Sequence, residues 1–113
     1  MGDCLFCKIA AGKIKGDIIY KDEQVLVLRD INPQAPVHLL VLPVEHLANL
    51  AEAADKAPAL LTSLLKKCEE LGCSLGGERG YRLVANTGQD GGQTVEHLHF
   101  HLLAGRELLW PPG

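Results

Sequence analysis

Within the five residues His97-Leu98-His99-Phe100-His101 the chain places three of its five histidines at every second position. A period of two belongs to an extended strand, which sends residues i, i+2 and i+4 to one face at ~6.5–7 Å spacing and their neighbours to the other. The alternation predicts a strand over Val95–Leu103, with three imidazoles on one face and Leu98, Phe100 and Leu102 packed beneath a helix on the opposite face. No helix could use this pattern. Imidazole serves as a general base, a metal ligand or a nucleophile; attacking phosphorus or a carbonyl, it leaves a high-energy adduct that water can discharge.

The frame around this segment is small. At 113 residues the chain is expected to form one domain, 1–113, and 47% hydrophobic with 22% charged residues is a globular composition. A net charge of −3, with no basic block longer than Lys66–Lys67, argues against a nucleic-acid partner. Apolar runs such as Leu39–Pro43 fall far short of the ~20 residues needed to cross a bilayer, and the first dozen residues carry no signal-peptide apolar region. The expectation is a cytoplasmic protein with no membrane partner.

Along the chain, Asp3 through Ala11 reads as a short helix capped by Asp3. Ile18–Tyr20 and Gln24–Leu28 read as a β-hairpin about Asp22-Glu23. The two prolines of Asp30-Ile31-Asn32-Pro33-Gln34-Ala35-Pro36 forbid regular structure, so this loop is suited to presenting a polar group. Val37–Pro43, opened by His38, is nearly continuous in aliphatic residues and predicts a central strand. Leu60, Leu61, Leu64, Leu65, Cys68 and Leu71 recur at helical intervals after Asp55 as N-cap, predicting one long helix that stops near Gly72. Tyr81–Asn86 is a further strand. The sum is an α+β fold: a five-stranded antiparallel sheet with one long helix and a short N-terminal helix.

Two further features bear on chemistry. The spacing Cys4-x-x-Cys7 can aim two sulfurs at one tetrahedral ion, or simply place two small residues on a short helix. Cys68 and Cys73 read as core or near-core fillers. The loop Gly88–Thr94, with three glycines and the Thr94 hydroxyl, has a composition able to wrap a phosphate but lacks the Walker lysine and the dinucleotide fingerprint.

Taken in order, Asp30-Ile31-Asn32-Pro33-Gln34-Ala35-Pro36-Val37-His38, Leu42-Pro43-Val44-Glu45-His46, Asn86, Asp90-Gly91-Gly92-Gln93-Thr94-Val95, the triad and the tail Trp110-Pro111-Pro112-Gly113 resemble the histidine-triad (HIT) family, in particular its Hint branch of purine nucleoside phosphoramidases. The resemblance covers nearly the whole chain. It implies a HIT-like homodimer with a combined ten-stranded sheet, and hydrolysis of the P–N bond of adenosine or guanosine 5′-phosphoramidates without a catalytic cofactor.

Carried onto this sequence, the resemblance makes His99 the nucleophile and His101 a contact to the phosphate, with His97 and His38 completing the catalytic set. It gives Gly92, Gln93, Thr94 and Asn86 to the phosphate and leaving group, and Asp30 to the ribose hydroxyls. Leu5, Phe6, Ile9, Leu28 and Ile31 would form the purine slot. Trp110, in a tail 105–113 docked at the dimer interface, would help select the leaving group. For Cys4 and Cys7 the resemblance supplies His46 and His97 as partners in a structural zinc site.

Three positions depart from the family pattern. Thr94 stands where serine is more usual, Glu96 where an aromatic is common, and Leu108 where a polar residue or histidine is often found. Strand alternation would send Glu96 away from the histidine face. The alternative functions are a dinucleoside polyphosphate hydrolase on the same fold and a nucleotide-binding or interaction module without turnover.

Overall fold

The structure, a computed structural model, describes residues 3–113. Its elements in chain order are α1 (Leu5–Ala10), β1 (Ile18–Lys21), β2 (Val25–Arg29), β3 (Val37–Pro43), α2 (Leu50–Lys56), α3 (Pro58–Gly76), a 3₁₀ turn at Gly77–Arg79, β4 (Arg82–Ala85) and β5 (Phe100–Ala104). The strands form one sheet in the order β1-β2-β3-β5-β4, antiparallel throughout. This is the expected α+β architecture, with β3 at the centre. No described helix is long and apolar enough to cross a membrane.

The alternation of each strand divides the core between two faces. Val25 and Val27 of β2, Leu39 and Val41 of β3, and Leu98, Phe100 and Leu102 pack together under Leu60, Leu64 and Cys68 of α3. On the other face Leu26, Leu28, Leu40 and Leu42 meet Phe6, Ile9 and Ala10, the buried side of the short α1. Cys68 belongs to the first core, where burial drives its thiol up to about 12; it is inert packing. Cys73 instead faces solvent, against the expectation of a near-core filler.

Four boundaries differ from the sequence reading, each for a local reason. The cap of α1 is Cys4, whose sulfur accepts from the Cys7 N–H at 3.4 Å, and not Asp3. Asp55 caps nothing: it lies inside α2, which Asn49 opens by accepting the Glu52 N–H at 3.0 Å. Asn-x-x-Glu is a capping signal that was present in the sequence. The long helix starts afresh at Pro58, whose fixed φ suits the first helical position, and it runs past Gly72 to Gly76. Gly72 is no stop, because a Cβ there would lie 2.5 Å from the Tyr81 ring; the residue is small to let α3 meet that tyrosine.

The fourth difference concerns the histidine segment. Pairing of β3 with β5 ends at Val41↔Phe100, so β5 begins at Phe100 and not at Val95. Beyond that point Pro43 has no N–H to offer and its carbonyl faces the His97 ring, while the Leu98 N–H turns to Leu47 O at 2.6 Å. Of His97, His99 and His101, only His101 therefore sits in a strand. Glu96 lies exposed in the bend before it, not beneath the helix.

Candidate active site

The alternation survives the loss of regular pairing. Leu98 still enters the α3 core, and His97 and His99 still pack on the other face, edge-on to Phe6 at ring separations of 5.7 and 5.0 Å. His38 joins them from β3. Its register partner is Leu103, and that of His101 is Leu40, so the two histidines are diagonal neighbours on one face.

The hydrogen bonds of these rings fix where each proton sits, because a carbonyl can only accept and an N–H can only donate. His97 is fully buried, and its Nε2–H donates to Pro43 O at 2.8 Å, leaving the Nδ1 lone pair aimed at Cys4 Sγ (3.3 Å) and Cys7 Sγ (3.6 Å). Burial, reinforced by His46 and His99 nearby, holds the His97 pKa below its ordinary value, against the bond to Pro43. His99 donates Nδ1–H to the His97 carbonyl at 2.7 Å, which leaves its Nε2 with a lone pair and no proton. That is the form of imidazole able to attack.

His38 accepts the Gln34 backbone N–H on Nδ1 at 3.0 Å, so the neutral ring carries its proton on Nε2. That proton is directed at His101 Nδ1, 2.9 Å away, with Asp30 Oδ2 at 3.3 Å as a second acceptor. His101 in turn carries its own proton on Nε2. Burial, with His99 and His38 alongside, lowers the His101 pKa to about 4 despite the Asp30 carboxylate, so the ring is a neutral donor at pH 7.

The second cluster on this face gathers Cys4, Cys7, His46 and His97, whose ligand atoms lie within 4.8 Å of one another. His46 Nδ1 is 3.3 Å from Cys7 Sγ. Sulfur-to-nitrogen edges of a tetrahedral zinc site come to about 3.6 Å from ordinary Zn–S and Zn–N lengths. Two thiols and two imidazoles, with His97 already in the metal-binding tautomer, fit that ion. Burial and the Cys4 sulfur beside it raise the Cys7 thiol above its usual range. Asp30, His38 and His101 are comparably close together, but His38 Nε2 holds a proton because Nδ1 is engaged. This second group is a hydrogen-bonded chain rather than a cage.

A HIT domain model matches residues 11–108. The chain belongs to the HIT family. It is 51% identical over 111 residues to a HIT-like protein of Synechococcus elongatus, covering 98% of this chain and 97% of that one. Among solved structures it resembles a HIT family hydrolase from Legionella pneumophila (46% identity, TM-score 0.93, covering 98% of this chain and 100% of that chain). It also resembles a zinc-bound histidine triad family protein from Mycobacterium smegmatis (29% identity, TM-score 0.80, covering 93% of this chain and 76% of that chain).

The HIT fold distributes the remaining candidate residues unevenly. Phe6, Ile9 and Leu28 are buried together, whereas Leu5 is 44% and Ile31 96% exposed at the rim. Asp30 Oδ1 accepts the Asn32 N–H at 2.8 Å, fixing the carboxylate beside His38. Gln93 ties its loop to the segment between β3 and α2: Nε2 donates to Ala48 O (2.8 Å) and Val95 O (3.1 Å), and Oε1 accepts the Gly88 N–H (3.2 Å). The N–H groups of Gly92 and Gln93 close turns within the same loop, on Gln89 O and Gly88 O. Thr94 and Glu96 are exposed and share the walls of an open cleft with Gly88 and Gly92. Asn86 directly follows β4, one residue beyond the Ala85↔Phe100 pair and so level with His99, and it lines a groove with Val84, Arg106 and Pro112. Trp110 is 82% exposed, although Arg82 holds the tail by donating to Leu108 O (3.2 Å) and Leu109 O (3.0 Å).

Sequence reasoning missed three residues: Gln34, whose amide sets the His38 tautomer; Pro43, whose carbonyl sets that of His97; and Arg106, which donates Nε–H to Gln34 O at 2.9 Å. Two of these act through backbone atoms, which leave no side-chain signature.

Proposed function

We propose that this protein is a hydrolase of purine nucleoside 5′-phosphoramidates, working through a covalent nucleotidyl-histidine intermediate on a single domain spanning 1–113. The observation that carries this reading is the His99 Nδ1–H bond to the His97 carbonyl, which leaves Nε2 unprotonated. His99 Nε2 attacks the phosphorus, the P–N bond breaks, and the amine departs; water then cleaves the N–P bond of the intermediate. Across both steps the oxygen of water ends on phosphorus and a proton on the amine. His101, a neutral Nε2–H donor, stabilises charge on the phosphoryl oxygens. Thr94 contacts the leaving-group side, Gln93 shapes the loop, Asp30 takes the ribose hydroxyls, and Phe6, Ile9 and Leu28 floor the purine slot with Leu5 and Ile31 at its rim.

Cys4, Cys7, His46 and His97 would hold a structural zinc, a reading supported by their donor set and by the zinc-bound relative. The ion would lock α1 to the segment before β5; the residues that react lie outside its donor set. We further propose a homodimer. Trp110 is exposed on a tethered tail, and edge strand β4, with Tyr81 and Leu83 exposed, could join two sheets into one of ten strands. The partner's Trp110 would then approach each site and help select the leaving group.

Steady-state hydrolysis of a fluorogenic adenosine phosphoramidate, with acid-quench mass spectrometry, tests the reaction. Turnover with a nucleotidyl mass on His99 is expected; nucleotide binding without turnover would make the protein a binding module. Light scattering should report about twice 12.2 kDa, and a monomeric mass would reject the dimer.

A further inference from the structure

The segment that leaves β5 touches the Asp30–Pro36 loop in two ways. A Cβ on Gly105, which adopts φ +94°, would meet Pro36 Cβ at 2.9 Å, so glycine lets the two backbones close together. The next residue, Arg106, reaches across with Nε–H to Gln34 O at 2.9 Å and uses Nη1 on Glu107 O. Gln34 is thereby held at three points, since its side-chain Nε2 also donates to Asn32 O at 3.0 Å. Its backbone N–H is the donor that keeps His38 Nδ1 unprotonated.

Without that donor, either nitrogen of neutral His38 could carry the proton. The Nδ1–H form would present a bare Nε2 to His101 Nδ1, and two facing lone pairs at 2.9 Å would repel unless His101 also shifted its proton to Nδ1. His101 would then show substrate a lone pair where an N–H is required. The Gln34 peptide N–H, together with the Asp30 carboxylate 3.3 Å from His38 Nε2, thus decides whether His101 is a donor or an acceptor at the phosphate.

We propose that Arg106 is a positioning residue for the reaction: by fixing Gln34 it holds the proton order His38 Nε2–H to His101 Nδ1, and so keeps His101 Nε2–H toward substrate. Its consequence for rate rests on the phosphoramidase reading; its effect on proton position does not. Arg106 is exposed and distant in sequence, so its substitution leaves both cores intact.

The experiment is long-range ¹H–¹⁵N correlation of the histidine rings in wild type, Arg106→Gln and Arg106→Lys, with kinetics on the same samples. Wild type should show His38 and His101 each protonated at Nε2 alone, and Arg106→Gln a mixture of tautomers at both. The kcat of Arg106→Gln should fall about 3- to 10-fold with KM changed less than about twofold, and lysine should restore much of the loss. An unmixed His38 tautomer in Arg106→Gln would overturn the proposal whatever the rate. If wild type hydrolyses no phosphoramidate, the ring spectra alone decide it.

Discussion

Two histidine clusters lie on the same face of one sheet, and they are built for different work. In the first, His97 gives its Nε2–H to a carbonyl and turns a bare Nδ1 toward two thiols; in the second, His38 receives an N–H on Nδ1 and turns a protonated Nε2 toward His101. Separation and residue type would admit a metal at either. The backbone group behind each ring decides, since a carbonyl behind it frees the opposite nitrogen to bind and an amide behind it makes the opposite nitrogen a donor.

The largest expected effect falls where the clusters meet. His99 takes its orientation from the His97 carbonyl and lies 5.1 Å, ring to ring, from His101. His99→Ala should lower turnover by more than about a thousandfold while nucleoside monophosphate binding stays within a few-fold, since the lost atom bonds to phosphorus only during reaction. Isothermal titration beside steady-state rates checks this, and activity above a tenth of wild type would sink the nucleophile.

Next in size is the metal. Protein purified without chelator should carry close to one zinc per chain, Cys7→Ala should lose it, and the melting temperature should drop by several degrees. Asp30→Asn should leave zinc content unchanged. Metal loss in Asp30→Asn, or zinc below half an equivalent in wild type, would erase the distinction between cage and chain.

A smaller effect is the pH dependence of the second cluster. The His101 pKa is lowered from 6.5 to about 4 in the folded chain, so between these values the unfolded chain binds more protons and acid favours unfolding. The stability due to neutral His101 is complete above pH 6.5 and is lost as pH falls toward 4. Urea midpoints across this window should decline less steeply in His101→Asn than in wild type; parallel declines would show that His101 does not titrate there. The smallest effect is that of Asp30→Asn on stability, about 1 kcal/mol or less by urea unfolding, because Oδ1 can still accept from Asn32.

The strand β3 and the two-sided core were legible because period-two and helical patterns map directly onto burial. The Cys/His donor set came from the family resemblance, and the structure brings those four residues together. The histidine segment misled in one respect: alternation reports which face a side chain takes, and it continues through residues whose backbone has left the sheet, so Val95–Leu103 looked like one strand. The break at Asn49 was readable as a cap but was overridden by the longer leucine stripe that follows. Proton positions were not legible at all, for they depend on Pro43 O and the Gln34 N–H, atoms that every sequence supplies.

His97 uses its side chain in the Cys/His cluster and its main chain to orient His99, and it is wholly enclosed. Mutational paths through this protein should therefore be rugged. Loss of either cysteine leaves the buried His97 Nδ1 with one sulfur in place of two, and replacing His97 to relieve it leaves Cys4 without its ring partner and disturbs the carbonyl that orients His99. Substitutions at Cys4, Cys7, His46 and His97 should be strongly non-additive, so that chains drifting away from this set are expected to exchange its members together and not one at a time.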